Sequence, residues 1–311
     1  NNLKSSYHRF KRKLNLKTNV DATLPFTPLR IDSGEQTSVI IGTLGEICRL
    51  QDNTKVEDFV KPFPSQITSG VVLEDRWVGT WVDHELKHAR MAALSLDGEW
   101  QNGIEREEIR KGIKQSLDFD PSGAIWSQSL DSEPMALSKV NSGICFSILG
   151  RGIYHMDANS NEIWRVPIPD ELTFNRLISI NESDGELNLF YDNGSVIILD
   201  KEDGSVIENH KISINNKIEK VFHHQNKFLI AMATGGFSIL EGFNSTPSTY
   251  RTPGPIFDAK FLDSGWIWTG WRHDGQENNG KIKISRRRDI GVAILNERIL
   301  SNDGKWSDFL E

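Results

Sequence analysis

His84-Glu85-Leu86-Lys87-His88 has the spacing of a metal-ligating motif. On a helix, H-E-x-x-H sets two imidazoles on one face as zinc ligands and leaves the Glu as general base. The surrounding residues argue for a different structure. Trp77-Val-Gly-Thr-Trp81 precedes the motif and Met91-Ala-Ala-Leu94 follows it, and both read as buried strands. A long helix here would destroy a sheet, and no third ligand follows at a familiar spacing. His84 and His88 are therefore expected in a hydrophilic turn, with no metal. His223-His224, followed by Gln225-Asn226, reads as another polar turn. There is no G-x-S-x-G run, no P-loop and no glycine-rich dinucleotide fingerprint. Acids are plentiful, but no pair stands out for glycoside chemistry. No catalytic residue is assigned.

The remaining chemistry is cationic. Arg286-Arg287-Arg288 is an unusual run in a chain of formal net charge −7. Guanidinium groups pair with carboxylates and phosphates through a planar fork. The first twenty residues carry Lys4, Arg9, Lys11, Arg12, Lys13 and Lys17 and no acid, which leaves −13 on the remainder. An acidic body argues against general binding to nucleic-acid phosphates. Leu3, Tyr7, Phe10 and Leu14 recur at helical spacing, so residues 1–20 are expected to be a basic tail or short helix, with 21–311 forming one domain.

The elements that position these residues are short apolar runs separated by turns. Leu44-Gly45-Glu46, Gly150-Arg151-Gly152, Asp192-Asn193-Gly194 and Thr234-Gly235-Gly236 each lie between a pair of strand-like segments. With turns near 84 and 275, most intervals are about forty residues, the period of a propeller blade. Two copies resemble each other closely. Trp77–Trp81 leads to Asp97-Gly-Glu-Trp100, and Trp266–Trp271 leads through Val292–Leu295 to Asp303-Gly-Lys-Trp306. The tryptophans Trp77, Trp81, Trp266, Trp268 and Trp271 are expected in blade cores. Leu117–Trp126 reads as a degenerate extra hairpin with a Pro-Ser-Gly turn. Counting it gives seven blades, which is preferred to six. The charged run Ile104–Lys114 reads as a helix or loop between blades. The fold expected is all-β, a single propeller of four-stranded antiparallel blades. Strands from the two chain ends are expected to share a blade, because closure removes sheet edges.

The run Gly152-Ile-Tyr154…Asp157 with Ile163-Trp164, and Gly194–Ile207, resemble the repeat of quinoprotein-like (PQQ-like or WD40-like) β-propellers. The resemblance covers about Thr37 to Trp306 and implies the fold, not the function. Quinone enzymes of that class often carry adjacent cysteines beside the cofactor. Cys48 and Cys145 lie far apart, so no cofactor is expected. Both sit in apolar runs and read as buried thiols, which favours a reducing compartment and a cytoplasmic location. No apolar run approaches the ~18 residues of a membrane helix.

By resemblance to other propellers, the turns between second and third strands gather on one face around the channel. Asp83–Arg90 and Arg272–Asp289 read as extended loops that meet over one sector of that face. Arg90, Arg272, His273, Arg286, Arg287 and Arg288 are the binding residues this arrangement suggests. The function expected is a protein-interaction scaffold whose partner presents an acidic segment. The alternatives are a hydrolase or lyase at the channel mouth, and a nucleic-acid or phosphate-ligand binder using Arg286–Arg288.

Overall fold

The computed structural model describes residues 23–262 and 265–309. These form seven antiparallel sheets, each running from an inner first strand to an outer last one. Blade 1 comprises Pro28–Asp32, Thr37–Gly42, Ile47–Gln51 and Lys55–Val56. Blade 2 comprises Gln66–Val72, Arg76–Asp83, His88–Ser95 and Ala124–Leu130. Blade 3 is Pro134–Val140, Gly143–Ile148, Gly152–Met156 and Glu162–Val166. Blade 4 is Leu177–Ser183, Glu186–Tyr191, Ser195–Asp200 and Val206–Lys211. Blade 5 is Ile218–His224, Lys227–Met232, Phe237–Glu241 and Ser248–Tyr250. Blade 6 is Ile256–Leu262, Gly265–Gly270, His273–Asn278 and Lys281–Arg286. Blade 7 has three described strands, Gly291–Leu295, Arg298–Ser301 and Trp306–Asp308. Each first strand touches the first strands of both neighbouring blades, and that of blade 7 touches that of blade 1, so the ring closes. The fold is a seven-bladed β-propeller.

The blade count agrees with expectation, but the partition differs. Leu117–Trp126 is not a hairpin. Ala124–Leu130 is the fourth strand of blade 2, and an insertion before it holds the helix Arg106–Lys114. The Glu108 carboxylate accepts the Glu105 N–H at the start of that helix, and Ile109 packs into the apolar core between blades 1 and 2. A side chain at Gly112 would run into the Phe119 ring, which packs against the helix there. The two tryptophan-rich copies are not equivalent either. Trp266 and Trp268 belong to blade 6, whereas Val292–Leu295 and Trp306 belong to blade 7. The seventh blade comes from that division, not from the extra hairpin.

The second strand of each blade is almost wholly buried, because it is covered on both faces by neighbouring sheets. Trp77, Trp81, Trp266 and Trp268 are core residues. At ~25 cal/mol per Å² of apolar surface, each such ring stabilises the fold by several kcal/mol. Cys48 and Cys145 are buried free thiols, and burial pushes the Cys48 pKa up to about 12.

Every inner strand slips register just after its first residues, for example at Leu29, Thr68, Ile178, Glu219, Phe257 and Val292. Such bulges sharpen the twist and turn the next residue toward the neighbouring blade. Arg30 Nη1 donates to Ile67 O (3.2 Å), linking blades 1 and 2. Lys220 Nζ donates to Phe257 O (2.7 Å), linking blades 5 and 6. The Asp258 carboxylate accepts the Ile294 N–H (2.7 Å), linking blades 6 and 7. Outer strands add two further links. Trp126 Nε1 donates to Ala158 O and Trp164 Nε1 to Lys201 O, both at 2.8 Å.

Closure is visible in one backbone contact. In blade 4 the Ile212 N–H bonds to Gly194 O (2.9 Å), just beyond the outer strand. In blade 7 the Leu24 N–H bonds to Gly304 O at the same distance, so Leu24 occupies the place that Ile212 takes in blade 4. Both glycines have φ above +80°, which suits a residue without Cβ. The basic tail expected at residues 1–20, and any strand it would share with blade 7, lie outside the described residues.

His155 is buried against Trp164 (5.3 Å between ring centroids), and neither ring nitrogen has a well-formed hydrogen bond. Burial holds its pKa below the ordinary 6.5, and the carboxylates of Glu202 and Glu182 offset this incompletely. The folded state therefore binds fewer protons than the unfolded chain, and stability present above pH 6.5 is lost as pH falls. Each such histidine contributes a slope of at most about 1.4 kcal/mol per pH unit. The melting temperature should fall between pH 7 and pH 5, and His155→Phe should flatten that fall. An unchanged slope in the variant would contradict this assignment.

Candidate functional site

Two sets of connections meet on one face of the ring. One set joins second to third strands. The other joins each outer strand to the inner strand of the next blade. On blades 1 to 5 these connections and the starts of the inner strands frame a funnel of about 650 Å³. Its wall alternates apolar and charged residues. Leu29, Ile67, Met135, Ile178 and Ile218 come from the starts of the inner strands. The charged residues are mostly committed. Arg176 Nη2 pairs with Glu133 (2.8 Å), and Lys217 Nζ pairs with Asp192 (3.1 Å), which also accepts from Asn175 Nδ2.

Several large apolar side chains on this face are exposed. Phe174 is 98% exposed, two residues before Arg176 on the funnel wall. Leu29 lines the funnel, and Leu44 adjoins the lining residue Thr43. Trp271, expected in a core, is instead 47% exposed, in the turn between the second and third strands of blade 6.

The two long loops expected on this face do not exist. Asp83–Arg90 is a hairpin in which Asp83 pairs with His88, leaving a four-residue turn. The H-E-x-x-H run is therefore not helical. His84 is exposed, and His88 stacks on Phe63 at 5.7 Å. Arg272–Asp289 holds two strands, His273–Asn278 and Lys281–Arg286, and the face-side turn is Trp271-Arg272, not residue 275. Blades 2 and 6 are separated by blades 7 and 1, so these segments do not share a sector.

The six arginine and histidine positions divide accordingly. Arg90 is 1% exposed and braces blade 2 to its insertion. It donates to Asp118, to Asp120 (2.7 Å) and to Ser127 (2.6 Å). Its guanidinium is covered and closed to a partner. Arg287 is likewise occupied, by buried Asp274 (2.7 Å) and by Ser307 of blade 7 (2.8 Å). His273 is fully buried, and its Nδ1–H donates to Trp271 O (3.0 Å). Burial lowers its pKa, so it remains neutral near pH 7. Arg272, Arg286 and Arg288 are exposed and lie together, since the Arg287 N–H bonds to Arg272 O and Arg286 pairs with His273.

A closed seven-bladed ring with a funnelled face defines a β-propeller. No protein-family model matches the sequence, and no curated protein does. The structure resembles that of BamB from Moraxella catarrhalis (TM-score 0.58, 11% identity, covering 89% of this chain and 80% of that one). It also resembles YCF48 from Cyanidioschyzon merolae (0.59, 12%, 93% and 97%). A third neighbour is the computationally designed Ika8 protein (0.58, 10%, 93% and 98%). At such identities the likeness establishes the fold. Among the described residues, no helix is long and apolar enough to cross a membrane.

Arg90→Ala should lower stability by about 1–3 kcal/mol, because the Ser127 hydroxyl and the Asp118 and Asp120 carboxylates lose their partner and a void opens at the blade edge. Arg288→Ala should stay within about 0.5 kcal/mol of the parent. Denaturant titration of the two variants checks the contrast, and equal effects would refute the division between brace and surface.

Proposed function

We propose that the protein is a docking scaffold that binds a protein partner through the funnel face. The observation that carries this reading is the exposure of Phe174 on a connection of the funnel face, with Leu29 and Leu44 on the same face. A fully solvated phenylalanine on a connecting turn contributes nothing to the fold. Large apolar side chains left in solvent on one face, among polar ones, are a common composition of a protein-contact surface. The funnel wall adds apolar starts of inner strands between committed ion pairs, which suits a partner segment that covers the mouth. BamB and YCF48 lend the fold and nothing more specific. The buried free thiols fit a reducing compartment, in keeping with a cytoplasmic location.

Phe174→Asp combined with Leu44→Asp should abolish capture of the native partner while leaving the melting temperature within a few degrees of the parent. Gln225→Asp, in a turn on the opposite face, should capture as the parent does. Affinity purification followed by mass spectrometry gives the comparison. Loss of the same partner in the Gln225 variant but not in the double variant would refute the reading.

A further inference from the structure

One sector of the funnel face carries charge that nothing in the fold uses. Three successive connections meet there. Arg251 lies between blades 5 and 6, Trp271-Arg272 within blade 6, and Arg286–Arg288 between blades 6 and 7. Backbone bonds tie them together, from Trp271 N to Pro255 O and from Arg287 N to Arg272 O, both at 2.9 Å. Gly254 packs directly on Trp271, where an added Cβ would sit 2.8 Å from the tryptophan Cβ. The segment Arg251–Pro255 is thereby held against the indole. The positions of Arg251, Arg272, Arg286 and Arg288 are thus fixed by hydrogen-bonded turns.

The four guanidinium groups are exposed, and none forms an ion pair among the described residues. This contrasts with Arg30, Arg49, Arg90 and Arg287, which are bonded to acids of the fold. Buried Asp274, beside His273 in the same blade, is taken up by Arg287 and by the Thr269 hydroxyl. Asp303 is bound by Lys305. Unpaired like charges repel one another, so the arrangement costs stability that the fold does not recover internally.

We propose that this crescent, Arg251, Arg272, Arg286 and Arg288 around the exposed Trp271 ring, is the subsite that receives an acidic, apolar-flanked protein segment. The inference rests on the docking function above and gives that partner its chemistry. Guanidinium forks match carboxylates in pairs, and the indole offers an apolar contact between them. The body of the protein favours a short acidic segment over a long polyanion. At −7 overall, the surface beyond the crescent repels phosphate chains that extend past it.

The test uses a fluorescein-labelled peptide alternating Glu and Leu, followed by fluorescence anisotropy at low and moderate salt. A Lys–Leu peptide and single-stranded oligothymidylate are the comparisons. The parent should bind the Glu–Leu peptide at least about tenfold more tightly than either comparison, and added salt should weaken that binding. Replacing the four arginines by Gln should weaken it about tenfold or more, with a melting temperature no lower than the parent's, because the repulsion among the four charges is gone. Four Lys replacements should restore it incompletely, because the charge returns without the fork. Equal binding by the Gln variant, or tighter binding of oligothymidylate, would overturn the proposal. If the Gln variant still captures the native partner that Phe174→Asp with Leu44→Asp loses, the acidic-segment inference falls while the docking function stands.

Discussion

The ring depends on hydrogen bonds passed from each blade to the next. A propeller sheet is small and cannot bury its two faces alone, so its stability comes from its neighbours. Near the channel, the slipped register of each inner strand aims Arg30, Lys220 and Asp258 at the adjacent blade's backbone. At the rim, Trp126 and Trp164 do the same from the outer strands. Burial lowers the pKa of Lys220 and raises that of Asp258, and each opposes the shift of the other. These charges serve the architecture of the channel.

The arginines sort by the same logic. A guanidinium that faces another segment of the fold is bonded there, as Arg90 is to the blade 2 insertion and Arg287 to blade 7. The guanidinium groups of Arg251, Arg272, Arg286 and Arg288 are exposed instead, and none forms an ion pair among the described residues. Arg286, Arg287 and Arg288 adjoin in sequence yet have different roles, because the middle one turns inward to Asp274. The crescent around Trp271 and the exposed Phe174 lie on the same face of the ring as the funnel.

Much of this is legible in the sequence. Glycine-centred turns at Gly45, Gly194 and Gly235 announce tight hairpins, since positive φ is costly elsewhere, and all three have it. The repeat period follows from them. The division of the C-terminal third is hidden, because the Trp-rich strand of blade 6 and the D-G-x-W run of blade 7 imitate a single copy of blade 2. A signal is present even so. Lys281-Ile-Lys-Ile-Ser-Arg286 alternates with period two after the turn Asn279-Gly280, which marks a strand and not a loop. The burial of Arg90 is not legible. Its partners Asp118 and Asp120 come from an insertion, and Ser127 comes from a strand whose sequence imitates half of another hairpin. Trp126 and Trp164 each end an Ile-Trp pair in an outer strand, a local repeat that could locate the rim links.

Site-specific photo-crosslinking reports whether partners meet the funnel face. A benzophenone side chain placed at Phe174 in one version of the protein, and at Gln225 on the opposite face in another, reports what touches each surface in the cell. A discrete protein adduct is expected from position 174 and none from position 225. An adduct from position 225 alone would contradict docking at the funnel face.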